Sequence, residues 1–306
     1  MPSRWWIYQR ERFPVLAHAP LIAAFSFSAI SYSSMLRGPG VLPAPGAAIV
    51  AFFSAFLSFL QLRLADEFKD FEEDSRYRPY RPVPRGLIKL RELGWVGVGS
   101  ALLQLLMALW LKPALALWLV LVWTYLALMS KEFFVKAWLK SHPFTYMWTH
   151  MLIMPLIDFY TTACDWLVAG VRAPKGLLWF LLVSFFNGMV VEIGRKIRAP
   201  QDEETGVETY SVLWSRVGAV AAWLTAMLAT ALFAWLAAER IGFGGPVLWL
   251  LGVLIATAAA IGAIFLRNPK LKRGRWFEAM SGIWSLLMYL SLGAIPLLLR
   301  VFRGGR

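Results

Sequence analysis

Apolar residues fill nine long stretches of the chain, roughly 15–36, 44–65, 88–111, 113–130, 143–163, 176–196, 213–238, 246–266 and 277–300, with polar residues gathered between them. Each stretch is close to the roughly 17 to 25 residues that an α-helix needs to cross the hydrocarbon layer of a bilayer. Lipid offers no partner for backbone N–H and C=O groups, so isolated runs of this length predict helices, which satisfy those groups internally. Turn-forming sequences mark several of the breaks: Arg37-Gly38-Pro39-Gly40, Lys112-Pro113 and Gly244-Gly245-Pro246. The connections are short, which predicts antiparallel packing of consecutive helices. The expected fold is an all-α polytopic membrane protein, a bundle of nine transmembrane helices forming one domain over residues 1–306.

Composition strengthens this picture. The chain is 59% hydrophobic with a mean hydropathy of +0.59, well outside the range of soluble domains. Its formal charge of +13 would suit nucleic acid, but the basic residues sit in short loops between apolar spans, which is how membrane topology is encoded, and no nucleic-acid partner is expected. A cytoplasmic N-terminus places 23 of the 31 Lys and Arg residues inside. That asymmetry predicts an integral protein of the inner (cytoplasmic) membrane with its N-terminus in, its C-terminus out, and both acid-rich loops on the cytoplasmic face. Met1 to Phe13 is polar, basic and aromatic, unlike a cleavable signal peptide. The single cysteine, Cys164, has no disulfide partner within the chain.

Against this apolar background, six acidic residues crowd the end of the second stretch: Asp66, Glu67, Asp70, Glu72, Glu73 and Asp74. Like charges one turn apart repel, and carboxylates at a bilayer edge resist desolvation, so such a cluster calls for cations. At about 100° per residue Glu67, Asp70 and Asp74 share one helical face, with Asp66 beside them and Arg63 a turn earlier, while Glu72 points away. Stacked carboxylates are hard oxygen ligands of the kind that hold Mg²⁺ against phosphate oxygens. The plain alternative is a charged helix end at the membrane surface. The next segment, Arg76 to Gly86, combines arginines with Pro79, Pro82 and Pro84. Arginine's planar fork suits diphosphate oxygens, and proline stiffens the loop that carries it.

A second polar region ends the sixth stretch. Asn187 and Glu192 lie within or at the edge of that span, followed by Arg195, Lys196 and Arg198 and then by Asp202, Glu203 and Glu204. Pro200 is expected to end the helix near Ala199, and Gly206 to turn the acidic loop. Glu192 and Lys196 share a face; they read as an i, i+4 ion pair or as part of a site, because polar groups inside a membrane mark function by default.

At these residues the chain resembles the UbiA superfamily of intramembrane prenyltransferases, which carries Asn-Asp-x-x-Asp-x-x-x-Asp after its second helix. Here Asp66 stands for the asparagine, Glu67 for the first aspartate, and Asp70 and Asp74 match. Arg81-Pro82-Val83-Pro84-Arg85-Gly86 is similar to the family's Arg-Pro-x-Pro-x-Gly turn. The second motif departs from the family's Asp-x-x-x-Asp: Glu192 is followed four residues later by Lys196, and Asp202 is the nearest carboxylate to replace the missing one. The resemblance implies a nine-helix bundle of that type and a prenyl diphosphate donor bound through Mg²⁺. It further implies catalytic residues Glu67, Asp70, Asp74 and Glu192, metal ligands Asp66, Glu67, Asp70, Asp74, Glu192 and Asp202, and diphosphate contacts from Arg81, Lys131, Lys196 and Arg198. Prenyl transfer to a lipophilic, membrane-soluble and possibly aromatic acceptor is then the expected reaction, through an allylic carbocation shielded by the bilayer. Alternatives are a terpene cyclase of the same type acting on the donor alone, a non-catalytic membrane scaffold and a divalent-cation carrier. His150 and the aromatic residues Tyr125, Tyr146, Trp148 and Tyr289 are secondary candidates as base or cation stabilisers, and all have ordinary packing readings.

Overall fold

The computed structural model describes residues 3–304, and among these residues the secondary structure is helical without a strand. A short helix, α1 (Arg4–Arg12), is capped by the Ser3 hydroxyl and leads into α2 (Val15–Arg37). α3 (Pro45–Lys69) runs back, breaks at Asp70 and resumes as α4 (Phe71–Tyr77). Then follow α5 (Leu90–Leu111), α6 (Leu115–Ser130), α7 (Lys136–Lys140), α8 (Pro143–Met151) and α9 (Ile153–Trp166). α10 (Leu177–Gly194), α11 (Tyr210–Leu213), α12 (Ser215–Arg240), α13 (Gly244–Arg267), α14 (Arg275–Leu292) and α15 (Ala294–Gly304) complete the chain.

Among the described residues seven segments are long and apolar enough to cross a membrane: α2, α3, α5, α10, α12, α13 and the run from α14 into α15. Two of the nine expected spans differ. The stretch 113–130 forms α6, only 16 residues long, since the helix begins after Lys112-Pro113. The stretch 143–163 is two helices, α8 and α9, that meet at Leu152. Pro155 accounts for the break: it lacks the N–H that would bond the Met151 carbonyl, and its ring crowds that oxygen. Pro296 acts in the same way on Leu292, and the chain turns at Gly293, whose bare backbone lies against Ser28 of α2 where a Cβ would clash.

At the centre, α2 lies among α3, α9 and α14, and α10 packs on α9, α12 and α14. The buried side of α2 carries Ser26, Ser28, Ser31, Ser33 and Ser34, small residues that let helix backbones approach where lipid gives little hydrophobic drive to associate. Amides tie α3 to α5: Gln61 Nε2 donates to Gln104 Oε1 at 2.8 Å, and Gln104 Nε2 donates to the Ser54 carbonyl at 2.8 Å and to Ser58 Oγ at 2.9 Å. Leu106, Trp110, Leu117 and Trp249 remain exposed on the outer surface, as lipid-facing residues should.

At the bundle end opposite the acidic cluster, Arg37 grips Asp165 with Nε at 2.9 Å and Nη2 at 2.6 Å, and Ser33 Oγ donates to the same carboxylate at 2.7 Å. This bidentate pair pins α2 to α9. Removing one partner strands a buried charge, so Arg37→Leu is expected to lower stability by about 3 kcal/mol, with the double variant Arg37→Leu/Asp165→Leu recovering much of the loss. Thermal unfolding of the purified variants in detergent checks both.

Candidate active site

The end of α3 divides the acidic residues between two surroundings. Glu67 is buried against α1, where Arg12 Nε donates to its carboxylate. Asp66 and Asp70 lie on the neighbouring face. Asp66 is 3.5 Å from Arg63 and close enough to Arg195, beyond the end of α10, to help hold that guanidinium's pKa up, behind the larger effect of Glu192. Asp70 occupies the break itself (φ −97°, ψ 5°), and among the described residues no side chain bonds its carboxylate. Burial raises the Asp70 pKa, opposed by Lys69 and reinforced by Asp66, Asp74 and Glu73. Asp74, buried on α4, accepts from Arg78 at 3.0 Å and from Arg81 at 2.5 Å. The arginine-proline loop is compact: Leu87 N–H bonds the Pro82 carbonyl at 2.9 Å, Pro82 and Val83 are buried, and Arg85 reaches Glu11 of α1 at 3.0 Å.

The second polar region starts earlier than its proline suggests. α10 ends at Gly194, five residues before Ala199, because the chain beyond folds back on itself: the Lys196 carbonyl accepts from Tyr210 N–H at 3.2 Å, and Arg198 N–H donates to Ser211 Oγ at 2.9 Å. Glu192 is held by Arg195 at 2.6 Å and Lys196 at 2.9 Å. Arg198 Nη1 reaches the Asp202 carbonyl and Glu204 Oε1, each at 3.3 Å. Asp202 turns toward the loop before α14, where its Oδ2 accepts from Lys272 N–H at 2.7 Å. Asn187 is inside the bundle, accepting from Ser285 Oγ at 3.1 Å. Lys131 caps the end of α6 and is exposed.

The two regions meet at one end of the bundle. Tyr80 donates to Glu204 at 3.3 Å, and the Tyr77 ring lies against Gly206, which has φ +77° and no room for a Cβ. Between them sits a third group, whose acid, Glu132, the sequence did not single out. Tyr146 accepts from Lys69 Nζ at 2.9 Å and donates to the buried carboxylate of Glu132 at 3.1 Å, with His150 behind. Glu132 follows Lys131 in a short polar loop and reads there as ordinary surface charge. Among the described residues no three His, Cys, Asp or Glu side chains already converge as a metal site. Each acid except Asp70 is engaged by a protein donor or faces solvent, Asp66 having only Arg63 at 3.5 Å.

Comparison with known proteins identifies the fold and the family. No curated protein matches the sequence significantly. In fold, the chain is similar to the apo structure of a UbiA homolog from Aeropyrum pernix K1, with a TM-score of 0.67, 15% identity, and coverage of 90% of this chain and 96% of that one. It is also similar to a digeranylgeranylglyceryl phosphate synthase (TM-score 0.57, 16% identity, 95% and 99% covered) and to a UbiA homolog from Archaeoglobus fulgidus (TM-score 0.54, 14% identity, 95% and 98% covered). The profile of the UbiA prenyltransferase family matches residues 24–292, a span that takes in both polar regions. The chain is therefore an integral membrane protein that belongs to the UbiA prenyltransferase family.

Proposed function

We propose that the protein transfers a polyprenyl group from a prenyl diphosphate to a lipophilic acceptor, with the reacting end of the bundle on the cytoplasmic side. The observation that carries this reading is the meeting of the two polar regions: Asp66 and Asp70 on one wall, Glu192 with Arg195 and Lys196 on the other, joined by the Tyr80–Glu204 hydrogen bond. A cleft with acids and cations on facing walls suits a diphosphate, which needs divalent ions to screen it and fixed N–H donors to orient it.

Mg²⁺ fits the donor set. Asp66 and Asp70 are hard oxygen donors free of strong protein partners; burial first, and then the neighbouring Asp66, Asp74 and Glu73, raise the Asp70 pKa, and a divalent cation beside it would favour the carboxylate. We assign the metal to Asp66, Asp70 and Asp74 with Glu192 facing them, whereas Glu67 and Asp202 anchor α1 and the loop before α14. The bound ion supplies neutralisation of the charge that grows on the leaving diphosphate. The chain's own cations do the rest: Arg81, Lys131, Lys196 and Arg198 offer donors to the same oxygens. The allylic C–O bond breaks with its electron pair leaving on the diphosphate. The acceptor then attacks the cation and sheds a proton, away from water.

Purified protein incubated with Mg²⁺, labelled geranyl, farnesyl or geranylgeranyl diphosphate and a membrane lipid extract is expected to release diphosphate and yield a prenylated lipid; a released cyclic hydrocarbon or alcohol would instead identify a cyclase. Asp70→Ala should lower release by at least about a hundredfold, the scale of losing a group that stabilises transition-state charge. Unchanged release in Asp70→Ala would overturn the proposal. Separately, chelation with EDTA should stop release and excess Mg²⁺ restore it, read by the same assay; release that persists in EDTA counts against the metal assignment.

A further inference from the structure

Lys69 lies within the acidic motif yet has no role in the reading above, although its surroundings fix it firmly. Its ammonium donates to the Tyr146 hydroxyl at 2.9 Å, stands 3.6 Å from Glu132 Oε1 and lies 5.5 Å from the centroid of the Tyr146 ring. Tyr146 in turn donates to Glu132 at 3.1 Å. His150 stacks on Tyr146 with ring centroids 4.0 Å apart and places Nε2 3.4 Å from Glu132 Oε2. A carbonyl can only accept, so His150 Nδ1, 2.8 Å from the Tyr146 carbonyl, carries a hydrogen and fixes the ring's orientation.

The backbone beneath Glu132 is strained to keep it there. Glu132, Phe133 and Phe134 form a single tight turn in which φ is 49°, 50° and 61°. Residues with a Cβ avoid this left-handed region at a cost of roughly 1–2 kcal/mol each, and such strain persists where surrounding contacts over-determine it, often beside functional sites. A buried acid held in this way beneath a lysine points to a demand on the lysine's position.

The opposite wall repeats the unit. Lys196 Nζ lies 5.4 Å from the centroid of the Tyr210 ring and 2.9 Å from Glu192 Oε1. Tyr146 is near enough to Tyr210 to act on it electrostatically, which brings the two lysine, tyrosine and carboxylate sets to the same end of the bundle. We infer that Lys69 and Lys196 are paired clamps for the two phosphoryl groups of a diphosphate, and that Glu132, Tyr146 and His150 are positioning residues that keep Lys69 directed at it. The inference rests on the proposed prenyl diphosphate donor. An ammonium that donates to one phenol, as Lys69 does, or pairs with one carboxylate, as Lys196 does, keeps N–H groups for a ligand, and holding it in place beforehand lowers the ordering cost of binding. Lys196 also replaces the carboxylate that the resemblance leads one to expect there, so this cleft has exchanged a metal ligand for a direct cationic contact. Lys69 gives that contact its counterpart.

Equilibrium binding of tritiated geranylgeranyl diphosphate with Mg²⁺ to the full chain in nanodiscs, beside thermal unfolding of each variant, tests this. Lys69→Met and Lys196→Met should each weaken binding by about tenfold or more, the scale of one charge-assisted hydrogen bond, while Lys69→Arg restores most of it. Glu132→Gln should also weaken binding, and Lys69→Met/Glu132→Gln should bind no worse than Lys69→Met alone, since Glu132 acts through the lysine. If Lys69→Met fails to fold, Lys69→Gln keeps a donor to Tyr146 and removes only the charge, with the same loss expected. Donor binding that is sensitive to Asp70→Ala but indifferent to Lys69→Met and Lys69→Gln overturns this inference alone. No binding of the donor by the wild-type protein overturns it together with the proposed function.

Discussion

A carboxylate removed from water must find a cation or a proton donor, and at the polar end of this bundle that requirement fixes how the pieces fit. Glu67 holds Arg12 and with it α1; Asp74 draws Arg78 and Arg81 back and folds the proline-rich loop; Glu192 gathers Arg195 and Lys196 where α10 ends. Each pair trades desolvation for attraction in a medium where both are large, so its worth lies less in net stability than in the penalty for any arrangement that leaves one charge alone. At the opposite end Asp165 and Arg37 apply the same rule to α2 and α9. Asp70 is the exception: half-buried among other acids, with no partner beyond the nearby charge of Lys69. A site that binds a divalent ion must keep such an acid uncompensated.

Much of the fold was legible because hydrocarbon imposes one requirement on every spanning segment. Seven of the nine apolar stretches are helices of spanning length, with ends close to those that composition suggested. The breaks were harder to see. Pro155 and Pro296 each sit inside an apolar run, where the lost hydrogen bond shows its effect four residues earlier, at Met151 and Leu292. The end of α10 was set by neither Pro200 nor local preference, but by Tyr210 and Ser211 returning to bond the backbone at Lys196 and Arg198. No window of sequence around residue 196 contains that information.

At the site, residue types were legible and partners were not. Helical phase grouped Glu67 with Asp70 and Asp74, but phase describes a continuous helix. The break at Asp70 puts Asp74 on a separate helix, and Arg12, 55 residues upstream, engages Glu67. Asp202 was read as the carboxylate replacing the one missing from the second motif, and its Oδ2 accepts instead from Lys272 N–H, 70 residues on. Glu132 went unseen for the opposite reason. Its significance comes entirely from Lys69, Tyr146 and His150, which other segments bring to it.

The departure of the second motif from its family pattern follows from the same electrostatics. Under the proposed function, replacing an acid by Lys196 near Asp66 and Asp70 lowers the negative charge to be screened before a diphosphate enters, and so lowers the demand for metal on that side. A lysine left loose there would collapse onto the opposing acids and fill the site with an ion pair. Here Glu192 and the face of Tyr210 hold it on its own wall, as Glu132 and Tyr146 hold Lys69 on the other. In the proposed site Glu132 and Glu192 thus each hold a lysine on its own side, while leaving N–H groups for an anion carrying more charge than either acid.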